Sequence, residues 1–436
     1  MRVRIRLFGF LIGIAFSSVA VAEQLVPFGP TAFSLADPAL NSSDLAKFNY
    51  GRGLFHHEWQ VHRHANGSQS GLGPIFSANA CAACHIRGGR GKTPEKGERP
   101  TAYVIAVGIP SALYGTLPDP IYGAQIQSNA VGTPTEAEVF VSYKATLDRL
   151  SDGTPVELRT PIFEIGAANY GQLHEHAELS GRLPQQIIGL GYLEQIGFET
   201  LSTFADPEDV NGDGISGRIS LMENGEIGRF GWKATAPTVL HQTAKAASSD
   251  MGISTPLFPA YAGDCTQKQV ECLEASLEQP QNKKTELDVN EARILALYSA
   301  NIHVPPRRNA YDPEVRRGEG IFSAIGCASC HVPVFSESQE YRGAYTDMLL
   351  HEMGMGLSDP TYGETELARE WRTPPLWGIG YTEEVNGNQF YLHDGRARDL
   401  IEAIMWHGGE AERTKETFRS LSTNERNALI AFLNSL

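Results

Sequence analysis

Two short segments constrain this chain of 436 residues more than anything else in it: Cys81-Ala82-Ala83-Cys84-His85 and Cys327-Ala328-Ser329-Cys330-His331. In C-x-x-C-H the cysteines stand three apart, so within one helical turn both sulfurs reach the same side of a flat ligand. The next residue then brings an imidazole to the ligand's centre. A porphyrin answers both demands: its vinyl groups take the sulfurs as thioethers, and its iron takes the histidine as proximal ligand. Neutral imidazole is a nitrogen donor suited to iron. A redox dithiol or half of a zinc site also uses C-x-x-C. Neither explains two copies, each followed by histidine, in a chain without the paired C-x-x-C of a zinc ribbon. Two covalently bound haem c groups are therefore expected, held by Cys81, Cys84 and His85 and by Cys327, Cys330 and His331.

The first residues read as an export signal. Met1-Arg2-Val3-Arg4-Ile5-Arg6 is followed by an apolar stretch from Leu7 to Val19 and by Ala20-Val21-Ala22 before Glu23, which predicts cleavage after Ala22. The apolar run is short of the roughly 20 residues that span a bilayer, and no later segment is long and apolar enough. A periplasmic protein with no membrane span after cleavage is expected, in a compartment where thiols oxidise. Cys265 and Cys272 then read as a small disulfide loop, with two free thiols as the alternative. The formal charge is −15, with 36 Lys plus Arg against 51 Asp plus Glu, and loss of Arg2, Arg4 and Arg6 takes it to −18. Nucleic acid is excluded as a partner on that balance, whereas a small basic electron carrier would be steered in.

The two halves share a plan. Gly51-Arg52-Gly53-Leu54-Phe55 precedes the first motif as Gly318-Glu319-Gly320-Ile321-Phe322 precedes the second, but an insertion rich in His, Gly and Ser separates Phe55 from Cys81. A second echo sets Gly189-Leu190-Gly191-Tyr192 beside Gly378-Ile379-Gly380-Tyr381. Between the copies, residues 100 to 282 are rich in Pro and Gly, with short strands expected around 102–107 and 139–141. Helix signals are clearest later. Asp288 and Glu291 form a capping-box pattern, Asp312-Pro313 opens a helix with proline at its first position, and Ser422 with Glu425 opens the last one. These features predict a mainly α protein of two cytochrome-c-like haem domains, residues 23–283 and 284–436, the first enlarged by long irregular and short-strand insertions.

The chain resembles the bacterial dihaem c-type oxidoreductases, a family labelled thiol oxidoreductases or peroxidases and related to the dihaem cytochrome c peroxidases and the methylamine-utilisation dihaem enzyme. The resemblance rests on Gly71-Leu72-Gly73-Pro74, the 119–127 segment from Asp119 to Gln127, Asp213-Gly214-Ile215-Ser216-Gly217-Arg218, the 228–234 segment around Trp232, and Tyr391-Leu392-His393-Asp394-Gly395-Arg396. It implies a reaction site at the first haem, with an open sixth position and Gln125, Gln127 and Glu164 as pocket residues. It further implies a six-coordinate relay at the second, with a peroxide-like small substrate and a small c-type cytochrome or other periplasmic donor as partners. Counting along Glu402-Ala403-Ile404-Met405-Trp406-His407 puts His407 where the peroxidases carry methionine, so the resemblance implies ligation by His331 and His407. Met405, Met353, Met355 and His351 compete for that place, and His393 reads as structural. Trp232 is the relay candidate between haems, with an ordinary core tryptophan as the alternative. The resemblance also implies a calcium ion, for which Asp209, Asn211 and Asp213, assisted by Asp206, present oxygens at alternate residues; Ser220 where a calcium loop ends in glutamate leaves a metal-free turn open. His56, His57, His62 and His64 of the insertion could instead cap the first iron, giving a resting state that must open before reacting; a pure electron carrier with both irons closed and a haem-based redox sensor are the other readings.

Overall fold

A computed structural model describes residues 29–60, 71–277, 285–335 and 343–436. The leader, residues 1–22, and His62 and His64 lie outside the described residues.

Each half is built on a pair of crossing helices. In the first, Ser42–His56, capped by Asn41, packs on Val289–Ala300, whose cap Asp288 completes its box with Glu291. Phe48 and Phe55 meet Tyr298 across the crossing at ring distances of 4.9 and 5.1 Å. In the second, Pro313–Ala324 crosses Thr423–Ser435, and Phe322 meets Phe432 at 5.2 Å. The repeated glycines sit at these contacts. A Cβ on Gly51 would lie 2.5 Å from the carbonyl oxygen of Ile294, and one on Gly318 would lie 1.9 Å from that of Ala428, so only glycine lets the backbones approach. The Gly-x-Gly-Tyr echo is matched too: Gly191 closes on the Ala300 carbonyl and Gly380 on that of Asn434, the C-terminal ends of the partner helices. The helix Val289–Ala300 lies beyond the 283/284 boundary expected from the sequence, yet packs with the first half.

The expected mainly α class does not hold. Among the described residues, helices take up 34% and strands 18%, because the region between the motifs alternates apolar and polar residues over far longer runs than the two short strands anticipated. Ala137–Arg149 and Pro155–Ala168 form an antiparallel ribbon that alternates between buried and exposed positions near its ends. Asp152-Gly153 turns it, with Gly153 at φ 89°. Val104–Ser111 is the centre of a second sheet, pairing Gly115–Leu117, Gln125–Ile126 and Glu178–Arg182. The ribbon's turn end is buried in the second half: Leu150, Val156 and Leu158 join the core of Phe322, Leu429 and Phe432. Arg419 pairs with Asp148 at 2.6 Å and Arg426 with Asp152 at 2.5 Å. The insertion of the first half thus clamps the second. No helix among the described residues is long and apolar enough to cross a membrane.

Candidate haem sites

The second motif opens into a cavity. Gly326, at φ 100°, ends the Pro313–Ala324 turn and starts the short Cys327–Ser329 helix, placing Cys327, Cys330 and His331 on one wall. Asp399 caps Leu400–Met405, which carries Ala403, Ile404 and, one turn on, His407 to another. The empty volume is about 1360 Å³, part of it open to solvent, and its walls are mostly apolar, with Phe322, Leu376, Leu400 and Leu429 among them. His331 shares its Nδ1 with the Tyr345 carbonyl at 3.0 Å, and His407 shares its Nδ1 with that of Ala403 at 2.7 Å. In each ring the remaining nitrogen, Nε2, is left to bind a metal. Burial pushes His331 down to about 4, and the neighbouring His407 pushes it further in the same direction. Two neutral imidazoles in one apolar cavity beside two cysteines fit an iron porphyrin held from both faces. Burial pushes the Cys327 thiol up to about 12.

The competing ligands separate. His351 lines the cavity, but Asp347 engages its Nε2 at 2.8 Å and Glu410 its Nδ1 at 2.6 Å, so neither nitrogen is free. Burial alone would lower its pKa, yet Asp347 holds it well above the ordinary value. The cluster of Cys330, Asp347 and His351 is for the same reason a carboxylate-bound imidazolium. Met405 is buried in the core away from the lining, and Met355 is exposed with its sulfur accepting from Arg369. Met353 does line the cavity. His393 also lines it, stacked on Trp371 at 3.7 Å with its pKa pushed down to about 3 by burial.

At the first motif, Cys81–Cys84 is a single helical turn, and His85 shares its Nδ1 with the Gln185 carbonyl at 2.7 Å. Phe55 stands 6.2 Å from the His85 ring as Phe322 stands 6.3 Å from that of His331. Burial lowers the His85 pKa, opposed by the backbone of Gln185 and Gly89. Burial pushes Cys81 and Cys84 up to about 12, with Asp250 adding to the effect.

Asp250 leads into a buried polar network. Gln125 donates to it at 3.0 Å and to Ser77 at 3.1 Å, while Ser77 donates to Gln127 at 2.8 Å. Gln127 in turn donates to the Ser249 carbonyl and to Asp264. The Gln127 backbone and the Gln269 side chain, each at 2.5 Å, donate to Glu136. Burial pushes Glu136 up to about 8 and Asp264 up to about 6, and raises Asp250. The disulfide Cys265–Cys272 has formed, and its loop presents Gln269. Glu164 is not part of this network: it is exposed on the ribbon, opposite Phe140. The acids that do join Gln125 and Gln127 are Asp250, Asp264 and Glu136. Sequence offers no signal that separates Glu136 from Glu138 two positions on, whereas Asp264 could have been suspected from its place beside Cys265.

A short bridge joins the two sites. The Leu183 carbonyl accepts from Trp232 Nε1 at 2.9 Å, and Trp232 lines the second cavity. Two residues on, Gln185 holds His85 through its carbonyl and accepts from Arg372 through its side chain at 2.7 Å. In the 206–214 loop the oxygens serve backbone amides: Asp206 accepts from Val210, Asp209 from Gly214, Asn211 from Asp213 and Asp213 from Ile215. The loop's exit packs on the second site through Ser216, which donates to Glu410.

The model of the family described as "Di-haem oxidoreductase, putative peroxidase" matches residues 25–108 and 121–436. No curated protein matched in a search of sequences. Among solved structures, the chain is similar to a hydrazine synthase chain from Kuenenia stuttgartiensis, at 14% identity over 99% of this chain and 100% of that one, TM-score 0.35. It is also similar to the diheme peroxidase BthA from Burkholderia thailandensis, at 13% identity over 70% of this chain and 94% of that one, TM-score 0.31. At such values neither likeness bears on function.

Proposed function

The chain belongs to the di-haem oxidoreductase family, and from that premise we propose a periplasmic c-type enzyme of peroxidase kind whose first haem is the reaction site and whose second relays electrons. Cys327, Cys330, His331 and His407 would hold the second haem, and Cys81, Cys84 and His85 the first. The observation that carries the reading is the contrast between them: His331 shares an apolar cavity with His407, while the attachment cysteines beside His85 stand next to Asp250 and its buried polar network.

When bound, the haems supply one-electron redox chemistry and, at an open iron, activation of a peroxide oxygen–oxygen bond. Reduction of hydrogen peroxide to two waters consumes two electrons and two protons. Glu136, with its pKa near 8, holds a proton at neutral pH. Gln127, Ser77 and Gln125 tie Glu136 into one hydrogen-bonded network with Asp250, the carboxyl beside the attachment cysteines; the amides orient the carboxyls, and Asp250 is the group placed to exchange a proton there. Trp232 serves the electron path, tied at Leu183 to the segment that holds His85. The acidic surface favours a basic donor such as a small cytochrome. A calcium ion at Asp209, Asn211 and Asp213 belongs to the proposal on residue pattern; calorimetry after chelation tests it, and no heat on adding calcium removes it.

Electron paramagnetic resonance of the oxidised holoprotein decides between the readings. One high-spin and one low-spin ferric signal, together with peroxide turnover by a reduced small cytochrome, are expected. Two low-spin signals would favour a closed first iron. One observation supports that second reading: His57, T-shaped on Trp59, has a buried Nε2 without a hydrogen-bond partner. It would be the capping histidine.

A further inference from the structure

The second cavity contains two guanidiniums that nothing in the reading above requires. Arg90 and Arg372 both line it, and each is only 4% exposed. Arg90 comes from the other half of the molecule, five residues beyond His85. Its backbone N–H is fixed by the Asn386 side chain at 3.2 Å, but its guanidinium makes no hydrogen bond or ion pair among the described residues. It stands over the Tyr391 ring, 5.8 Å from its centroid. Arg372 donates to the Gly231 and Thr373 carbonyls and to the Gln185 side chain, all neutral acceptors. A buried cation without a counter-charge costs several kcal/mol, on the order of a broken buried pair. The carboxylates nearby are already committed: Asp347 and Glu410 clasp His351, and Asp394 pairs with Arg396. Lys415, the other flexible cation of the lining, already has Glu412.

An apolar cavity lined by two attachment cysteines, two imidazoles and two guanidiniums without a carboxylate partner fits an iron porphyrin, since such a group carries two carboxylates. We propose that Arg90 and Arg372 are the propionate clamp of the second haem, so that the segment carrying the first haem's motif supplies part of the second haem's charge compensation. Arg90 is a cofactor-positioning residue in this assignment, and Arg372 extends the contact to Gln185, whose carbonyl holds His85. The inference rests on the second haem occupying this cavity, not on the peroxidase reading.

Arg90→Gln and Arg90→Lys test it, read by haem content and by spectroelectrochemistry of the two haems in the holoprotein. Loss of the cation leaves a propionate uncompensated and favours the ferric state. The expected result for R90Q is a fall in the second haem's midpoint by at least tenfold in its redox equilibrium, about 59 mV for one electron, with the first haem unmoved. Should R90Q assemble without the second haem, R90K is expected to restore it. A shift or loss confined to the first haem, equal shifts in both, no shift in either, or failure of R90K to restore a lost haem would each overturn the assignment. Neither readout depends on turnover, so a protein inactive toward peroxide still passes or fails on its own.

Discussion

His85 and His331 follow identical attachment patterns, stand at nearly the same distance from a helix phenylalanine, and each gives its Nδ1 to a backbone carbonyl. What lies beyond them differs. His331 looks into an apolar cavity shared with His407; Cys81 and Cys84 stand instead by Asp250 and the Gln125, Gln127 and Glu136 network. One scaffold thus carries two electrostatic settings. On the function proposed above, an apolar site with two imidazoles would keep its geometry through an electron transfer, whereas a site backed by buried carboxyls would couple electrons to protons. The lesson is that the repeated motifs share their attachment side, while different segments stand beyond them: residues 400–415 at the second motif, and Gln125, Gln127 and Asp250 near the first.

The strongest way to break this contrast is to make the closed site resemble the open one. His407→Ala is expected to convert the second haem's low-spin ferric signal to high spin, leaving the first unchanged. His407→Met is expected to keep it low-spin, add the near-infrared band of methionine ligation and raise its potential, because a thioether stabilises the reduced iron. If neither substitution alters the second haem's spectrum, Met353, which also lines the cavity, is the ligand and the assignment is wrong.

The first site's proton store gives the next effect. An unfolded glutamate titrates near about 4.3, while burial holds Glu136 up to about 8. Between those values the folded protein binds the additional proton, so stability falls as pH rises through the window, and the contribution is gone above the folded value. Glu136→Gln stays neutral throughout, and its melting temperature is expected to fall less than the wild type's on going from about pH 5 to about pH 8. Parallel curves for the two proteins would show that Glu136 is ionised at neutral pH and is no proton source.

How much of this was legible in the sequence follows from range. The attachment motifs, the caps at Asp288, Asp312 and Ser422, and the Cys265–Cys272 pairing involve neighbours within eight positions, and the structure contains all three caps and the disulfide. The paired glycines were visible as an echo, though not as helix crossings, because Gly318 meets Ala428 only after folding. The ribbon was underestimated: residues 155–168 alternate, but Pro161 and the charges of its exposed face hide the period. Glu136 and Glu138 look alike in the chain, and an ideal strand would place both on one face; they are separated because Glu136 stands just before the strand, next to the register shift between Ala137 and Val139. Arg90 reads as part of the first motif's tail, and nothing local shows that it lines the other site's cavity.

The smallest effects test whether the two halves are built alike at all. Gly318 and Gly320 lie on one helix turn, and so do Gly51 and Gly53. A Cβ on the first of each pair strikes backbone, at 1.9 Å for Gly318 and 2.5 Å for Gly51, while the second of each pair has nothing within 4 Å. Because backbone cannot rotate aside as a side chain would, Gly318→Ala and Gly51→Ala should each cost ~1–3 kcal/mol of stability, with Gly318→Ala the worse for its closer contact. Gly320→Ala and Gly53→Ala remove a flexible residue from a helix interior at no steric cost, and each should gain about 0.5–1 kcal/mol. Denaturant unfolding of the four holoproteins measures all of this. Opposite signs within each pair, repeated in both halves, are what a duplicated helix crossing requires; a destabilising Gly53→Ala beside a stabilising Gly320→Ala would mean that the halves only look alike in sequence.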